Sequence, residues 1–213
     1  LREIFVYVEG PSDGKVLETL LENVIYQARS KGNSLYFYPM GGKGPLLNKG
    51  PLKALNILRN RPNSHVFLLP DLYPKNIFFE HQTFPQLKTG LDKQFAALLN
   101  KKKEDKRLLN QFHVYCMKYD LEVLLLASET ALKKKLNTDT FSRTWKRPVE
   151  DQDHDLPPKR IVEQLFRDCG MKYIDTIDAP MILAEVDFRE LMKVCEQQFK
   201  PFIEELLGIL ELN

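Results

Sequence analysis

Carboxylates stand in this sequence where short apolar runs end. Glu9 follows Glu3–Val8 (EIFVYV), Asp71 follows residues 65–69 (HVFLL) and Pro70, and Asp120 and Glu122 follow residues 112–117 by way of Lys118. Asp13 lies in the turn just after Glu9. If the runs are strands of one sheet, these acids meet beyond its carboxyl edge, where α/β folds bind ligands. Like charges brought together raise one another's pKa, and a divalent cation removes the conflict. All-oxygen donors select Mg²⁺ or Mn²⁺ over zinc. The expected metal ligands are therefore Glu9, Asp13, Asp71, Asp120 and Glu122. The competing reading is that acids begin helices and turns. Asp120 suits a plain N-cap best, which makes Glu122 the better ligand.

Other chemistries find less support. The segment around Gly41, Gly42, Lys43 and Gly44 lacks the Gly-Lys-Ser/Thr of a Walker A loop, and Leu47 stands where a dinucleotide-binding loop needs its last glycine. His65, His81, His113 and His154 are scattered, and the nearby pair His113 and Cys116 has no second ligand pair for zinc. No Gly-x-Ser-x-Gly elbow is present. The lysine runs 101–103 and 133–135 read as phosphate-tracking stripes or as solvated helix faces. Trp145, among Arg143, Lys146 and Arg147, reads as a base-stacking residue or as an anchor on the core.

The elements that must hold these groups follow from hydrophobic periodicity. Strands are expected at Glu3–Val8, 35–38, 65–69 and 112–117. A first helix carries Val16, Leu17, Leu20, Leu21, Val24, Ile25 and Ala28, capped by Ser12 or Asp13 and closed by Gly32. Residues 40–51 hold the densest glycine cluster and read as a loop. Helices are then expected at 52–58, 91–109, 120–127, 157–169, 188–199 and 201–210. Residues 137–158, with three prolines and the acids Glu150, Asp151, Asp153 and Asp155, read as a long mobile loop or insertion. Strands alternating with helices argue an α/β fold, a mostly parallel sheet flanked by helices, with a helical C-terminal extension. The division is residues 1–128 for the α/β core and 129–213 for helices packed on it, together one composite domain.

Of 213 residues, 43% are hydrophobic and 28% charged, which is ordinary for a globular protein. Thirty-one basic against 29 acidic residues do not mark a nucleic-acid binder by bulk charge. Three cysteines far apart make no disulfide framework and suit a reducing compartment. No apolar run reaches the ~18 residues of a membrane span. A cytoplasmic protein is expected, with no membrane partner. Leu1 in first place points to a trimmed start.

The run from Val6 to Asp13, VYVEGPSD, resembles the first motif of TOPRIM domains, found in topoisomerases, primases and overcoming-lysogenisation-defect nucleases: an apolar strand, Glu-Gly, then a further acid. Leu68-Leu69-Pro70-Asp71-Leu72-Tyr73 resembles the second motif, normally Asp-x-Asp, but Tyr73 replaces its last acid. Asp120-Leu121-Glu122-Val123-Leu124-Leu125, Pro157-Pro158-Lys159-Arg160-Ile161, Asp178-Ala179-Pro180 and the C-terminal helices resemble a TOPRIM-like family of uncharacterised bacterial proteins over most of the chain.

That resemblance implies a TOPRIM-like sheet and Mg²⁺- or Mn²⁺-dependent phosphodiester chemistry. Glu9, Asp71 and Glu122 become the catalytic set, and Lys43, Lys159 and Arg160 the phosphate contacts. It further implies nucleic acid as substrate, DNA before RNA, and a partner ATPase in defence against phage or mobile DNA. Tyr73 leaves open a second reading, a non-catalytic TOPRIM-fold module that binds nucleic acid or adapts to the ATPase. A phospho-acceptor receiver domain, with Lys118 as its strand-end lysine, is disfavoured because Gly10 and Pro11 follow Glu9 where a second acid is needed.

Overall fold

The computed structural model describes residues 1–73, 80–152 and 156–212. Asp153, His154 and Asp155, and Pro74 after the second motif, lie outside the described residues. The elements run β1 (Glu3–Val8), α1 (Pro11–Leu20), α2 (Glu22–Ser30), β2 (Ser34–Pro39), α3 (Lys43–Leu58), β3 (Ser64–Leu69), α4 (Phe84–Lys102), β4 (Phe112–Val114), α5 (Val123–Ala127), α6 (Glu129–Leu136), α7 (Pro158–Asp168), α8 (Asp175–Leu183), α9 (Phe188–Val194) and α10 (Phe199–Leu210).

The four strands form one parallel sheet in the order β2-β1-β3-β4. Parallel strands need long crossovers, and these bury the sheet on both faces. Alternate residues of β1 accordingly enter two cores. Ile4, Val6 and Val8 meet α1, α2 and the C-terminal helices, while Phe5 and Tyr7 meet α3 and α4. This is the expected α/β class, a parallel sheet flanked by helices. The C-terminal helices share their core with the sheet: Phe202, Ile203, Leu206 and Leu210 of α10 belong to the same apolar cluster as β1. No helix among the described residues is long and apolar enough to cross a membrane.

The chain runs from β1 outward to β2, then returns past β1 to β3. The path therefore reverses between β1 and β3, which is where α/β folds form their ligand crevice. Glu9 and Asp71 lie just beyond these two strands. Pairing continues past the regular ladder: Tyr115 N–H donates to the Leu68 carbonyl and Met117 N–H to the Pro70 carbonyl, each at 3.0 Å, while Leu72 N–H donates to the Met117 carbonyl at 2.7 Å.

Several expectations are corrected. The glycine-rich segment is mostly helix, because α3 starts at Lys43 and runs through Gly50 and Pro51. Gly50 serves close packing: a Cβ there would stand 3.1 Å from both methyl carbons of the buried Leu68. The first helix is two, parted at Leu21. Its N-cap is Gly10, whose N–H donates to Asp13 Oδ2 at 2.8 Å, so Asp13 acts from inside the helix. α4 begins at Phe84 behind the Thr83 cap and ends at Lys102. The final helices break at Cys195 and resume at Phe199. The helix α8 lay unseen in the sequence, where Pro180 and a weak apolar stripe obscure it.

The stretch taken for a mobile insertion is anchored where it is described. Glu150 is 1% exposed, and its carboxylate accepts N–H bonds from Gln197 (2.6 Å), Gln198 (2.9 Å) and Phe199 (3.2 Å) at the start of α10. A carboxylate there satisfies orphan helix donors and meets the positive end of the helix dipole. Trp145 packs against Phe141 on the same core. The lysines 133–135 tie α6 to its surroundings, Lys134 to Glu185 at 2.5 Å, Lys135 to Asp178 at 2.8 Å and Lys133 over the Phe141 ring.

Two stability effects follow. Glu150→Ala leaves three backbone donors at the start of α10 without their acceptor and lowers stability by about 2–4 kcal/mol in urea unfolding. Gly50→Ala gains helix propensity of about 1 kcal/mol but overpacks Leu68 by about 1–3 kcal/mol. The expected net is a lower melting temperature by calorimetry, and an unchanged or raised value would contradict the packing role.

Candidate functional site

The carboxyl ends of the strands carry a cavity of about 100 Å³. Its lining includes Asp13, Asp71, Asp120, Glu122 and Lys159, together with Ser12, Tyr173 and Asp175. Four of the five expected metal ligands therefore face one small space. The fifth, Glu9, stands behind Asp71, whose backbone N–H donates to Glu9 Oε1 at 3.0 Å.

Local backbone explains these positions. Gly41 and Gly42 take positive φ of 80° and 115°, a turn that suits glycine, and Gly42 N–H donates to the Glu9 carbonyl at 2.8 Å. Asp13 lies in the first turn of α1. Asp71 pairs with Met117 in an isolated parallel bridge. Asp120 and Glu122 form the turn ahead of α5, where Val123 N–H donates to the Asp120 carbonyl. Asp120 is no cap of its own helix; its Oδ2 accepts Lys159 N–H at 3.2 Å, near the start of α7.

Electrostatics show what the assembly costs. Burial raises the Glu9 pKa to about 7, against the Asp71 N–H and Lys43, which pull it down. Burial also raises Asp13, opposed by the Gly10 N–H and Lys159. Asp71 is raised well above the usual carboxylate range, first by burial and then by Glu9, Asp13, Asp120 and Glu122. Asp120 rises to about 7 through burial and the adjacent Glu122. Glu122, 6% exposed, is raised by burial although Lys159 and the Tyr173 hydroxyl favour its charged form. That hydroxyl donates to Glu122 Oε1 at 3.2 Å.

Two lysines offset part of this charge. Lys159 Nζ lies 2.7 Å from Asp175 Oδ2 and 3.5 Å from Glu122 Oε1. Burial works against its charge, but Asp175 and Glu122 outweigh burial and hold its pKa up. Lys43 Nζ donates to the Leu72 carbonyl at 2.9 Å. Burial lowers its pKa against the pull of Glu9 and Asp71. Both lysines thus engage the acidic end of the sheet. Arg160 does not line the cavity; it is exposed and pairs with Glu163 at 2.8 Å. Lys118 turns to Asp151 at 2.5 Å and Gln197 at 2.7 Å. Tyr73 stacks on Tyr119 with ring centroids 5.1 Å apart and donates to the Gln82 carbonyl.

The sequence reading missed Asp175 and Tyr173. Asp175 stands three residues before Asp178, and local pattern does not separate the two. In the fold they divide their work: Asp178 Oδ2 accepts Ile174 N–H at 2.7 Å, and Asp175 binds Lys159. A larger cleft, about 650 Å³, lies against α10 and includes Arg2, His65, Tyr115 and Glu205. It contains none of the strand-end acids. There His65 Nδ1 sits 3.0 Å from His113 Nε2.

The donor chemistry of the acidic cavity fits a hard cation. Asp120 Oδ1 is buried with no hydrogen-bond partner. The clustered carboxylates are raised in pKa, the state expected when nothing neutralises them. As the side chains stand, no three His, Cys, Asp or Glu among the described residues are placed to hold a metal ion together.

The linkage has a definite sign. A carboxyl whose folded pKa is raised stabilises the fold when neutral, and this contribution is lost as pH rises from the unfolded value through the folded one. For Asp120 the window runs from 3.8 to about 7. Asp120→Asn stays neutral throughout. In EDTA it should melt several degrees above the wild type at pH 8, with the gap widening from about pH 4 to pH 7. A pH-independent gap in thermal melts would contradict the crowded-carboxylate account.

A family described as "Domain of unknown function (DUF4276)" matches residues 8–207. No curated protein matches the chain. One solved structure with some likeness is the C-terminal region of the Burkholderia pseudomallei OLD protein. It is 15% identical, covers 90% of this chain and 98% of that one, and has a TM-score of 0.38. A likeness this loose places no chemistry on the chain.

Proposed function

We propose, for a chain that belongs to the DUF4276 family, that the acidic end of the sheet binds Mg²⁺ or Mn²⁺ and processes phosphodiester bonds of nucleic acid, as a TOPRIM-like nuclease does. The observation that carries the reading is the crowding of Asp71 by four other carboxylates around a cavity that also holds a buried, unpartnered oxygen of Asp120. Once their side chains turn toward a common point, Asp71, Asp120 and Glu122 would hold the ion, with Asp13 beside them. When bound, the ion would polarise the phosphodiester and make water a better nucleophile.

The remaining work falls to this chain's own groups. Glu9, with a pKa near 7, can accept or return a proton at neutral pH. Lys159 is the cation on the cavity wall that can meet a phosphate oxygen, and Asp175 orients it. Lys43 neutralises the Glu9 and Asp71 end from the other side. Arg160, turned outward, is better suited to a phosphate farther along a nucleic-acid strand. DNA as substrate, a partner ATPase and a role in defence against mobile DNA rest on the sequence resemblance.

Tyr73 favours a second reading. It takes the place of the second motif's last acid and is occupied in stacking on Tyr119. A module with that substitution can bind nucleic acid, or adapt to an ATPase, without cutting.

Calorimetric titration with MnCl₂ or MgCl₂ at pH 7.5 tests the metal. The wild type should bind, and Asp71→Asn should lose at least about tenfold in affinity, the 1.4 kcal/mol expected for a lost charged ligand. Absence of binding by the wild type would overturn the proposal. Cleavage of labelled DNA by the wild type but not by Glu9→Gln separates the nuclease from the non-catalytic module.

A further inference from the structure

We propose that the free edge of the sheet, Tyr36 and Tyr38 of β2 with Lys49 and Lys53 of α3, is a binding platform for single-stranded nucleic acid. Bases stack on the two rings and phosphates lie on the lysines. The inference deepens the phosphodiester reading by naming the form of the substrate and the surface that receives it.

β2 is an edge strand of the sheet. Its two faces differ. Leu35 and Phe37 are buried in the core with α1 and α2. Tyr36 and Tyr38 point to the other face and are 37% and 44% exposed. On that face α3 packs its buried side toward β3, with Gly50 against Leu68, and leaves the β2 rings at its flank. The rings are not loose. Tyr36 stacks on Phe5 at 5.5 Å, and Tyr38 lies 6.1 Å from Phe5 and 6.2 Å from Tyr7. Phe5 and Tyr7 are buried, so the exposed pair rests on a rigid aromatic ladder.

The charge around the ladder is predominantly basic. From Asn23 to Pro70 the sequence holds seven basic residues and no Asp or Glu. The whole chain is near neutrality, so the remainder is net acidic. Lys49 and Lys53 are both exposed, one helical turn apart on α3, and Lys53 Nζ stands 6.0 Å from the centre of the Tyr7 ring. Arg61 lies 5.4 Å from the Phe5 ring and pairs with Glu3 at 2.7 Å, an acid contributed by β1. A polyanion with flat aromatic groups is the ligand that uses both features.

Spacing selects the single strand. The Tyr36 and Tyr38 centroids are 6.1 Å apart. Stacked duplex bases rise only ~3.4 Å, so neighbouring bases reach both rings only on an extended strand. The direction also fits. β2 runs from Tyr36 through Tyr38 to Gly41 and Gly42, and Gly42 is hydrogen-bonded to Glu9. A strand laid along the rings is led toward the acidic cavity.

Fluorescence anisotropy in EDTA tests this without the metal. The probes are labelled oligothymidine and oligouridine of about 12 nucleotides and a DNA duplex of the same length. The full chain should bind the single strands more tightly than the duplex; a preference between the first two identifies DNA or RNA. Tyr36→Ala and Tyr38→Ala should each weaken binding by about 5–100-fold, while Tyr38→Phe keeps it. Lys49→Gln with Lys53→Gln should flatten the salt dependence by about 1.4 in log–log slope. Circular-dichroism melts confirm that each variant folds. Equal affinity of wild type and both alanine variants, equal affinity for duplex, or a copy-to-copy association abolished by Tyr36→Ala would overturn the platform. Mg²⁺ uptake with no oligonucleotide binding overturns the platform and leaves the metal reading standing. Oligonucleotide binding without Mg²⁺ uptake does the reverse.

Discussion

Mutual repulsion of carboxylates is the constraint around which the end of this sheet is organised. Glu9, Asp13, Asp71, Asp120 and Glu122 come from distant parts of the chain, and each is raised in pKa where the fold puts it. A protein under selection for stability alone would disperse such groups. Here they are held together by partial remedies. Glu9 accepts the Asp71 N–H, Asp13 the Gly10 N–H, Asp120 the Lys159 N–H, and Lys159 stands between Glu122 and Asp175. The remedies stop short of Asp120 Oδ1, which stays buried and unpartnered. Perturbed groups of this kind gather at functional sites.

Only a stiff frame can keep such a cluster assembled, and the parallel sheet supplies it. β1 is buried on both faces, and its neighbour β3 is locked against α3 through the contact of Gly50 with Leu68. The C-terminal half closes the other face. α7 brings Lys159 to the cavity, α8 brings Asp175, and Glu150 pins the start of α10. The wall of the site and the stability of the fold are therefore the same structure. The helices after residue 128 complete both the core and the cavity.

Charge is distributed as unevenly as hydrophobicity. Five acids meet at the carboxyl end of the strands, whereas residues 23–70 carry basic side chains and no Asp or Glu, beside an exposed aromatic edge. Fields arranged this way attract an anionic ligand on one surface and reserve the other for a cation. The near-zero net charge conceals this division, because the two regions cancel.

Much of this was legible one residue at a time. Short continuous apolar runs marked the strands and period-3.6 patterns most helices, and with them the parallel α/β class, since burial on two faces demands runs such as EIFVYV. The acids closing those runs marked the end of the sheet where they would gather. Glycine misled at residues 40–51, because close packing and loop formation leave the same letter in the sequence. Glu150 looked like part of a solvated acidic run until the start of α10 was seen to need its oxygens. Asp175 and Tyr173 gave no local signal, since their roles arise only when α8 and its approach fold against α7. Strand and helix identity are short-range properties that a sequence carries within each segment. Which acids share a cavity, and which lysine turns toward them, depends on the crossing of distant segments, and tertiary packing alone decided it.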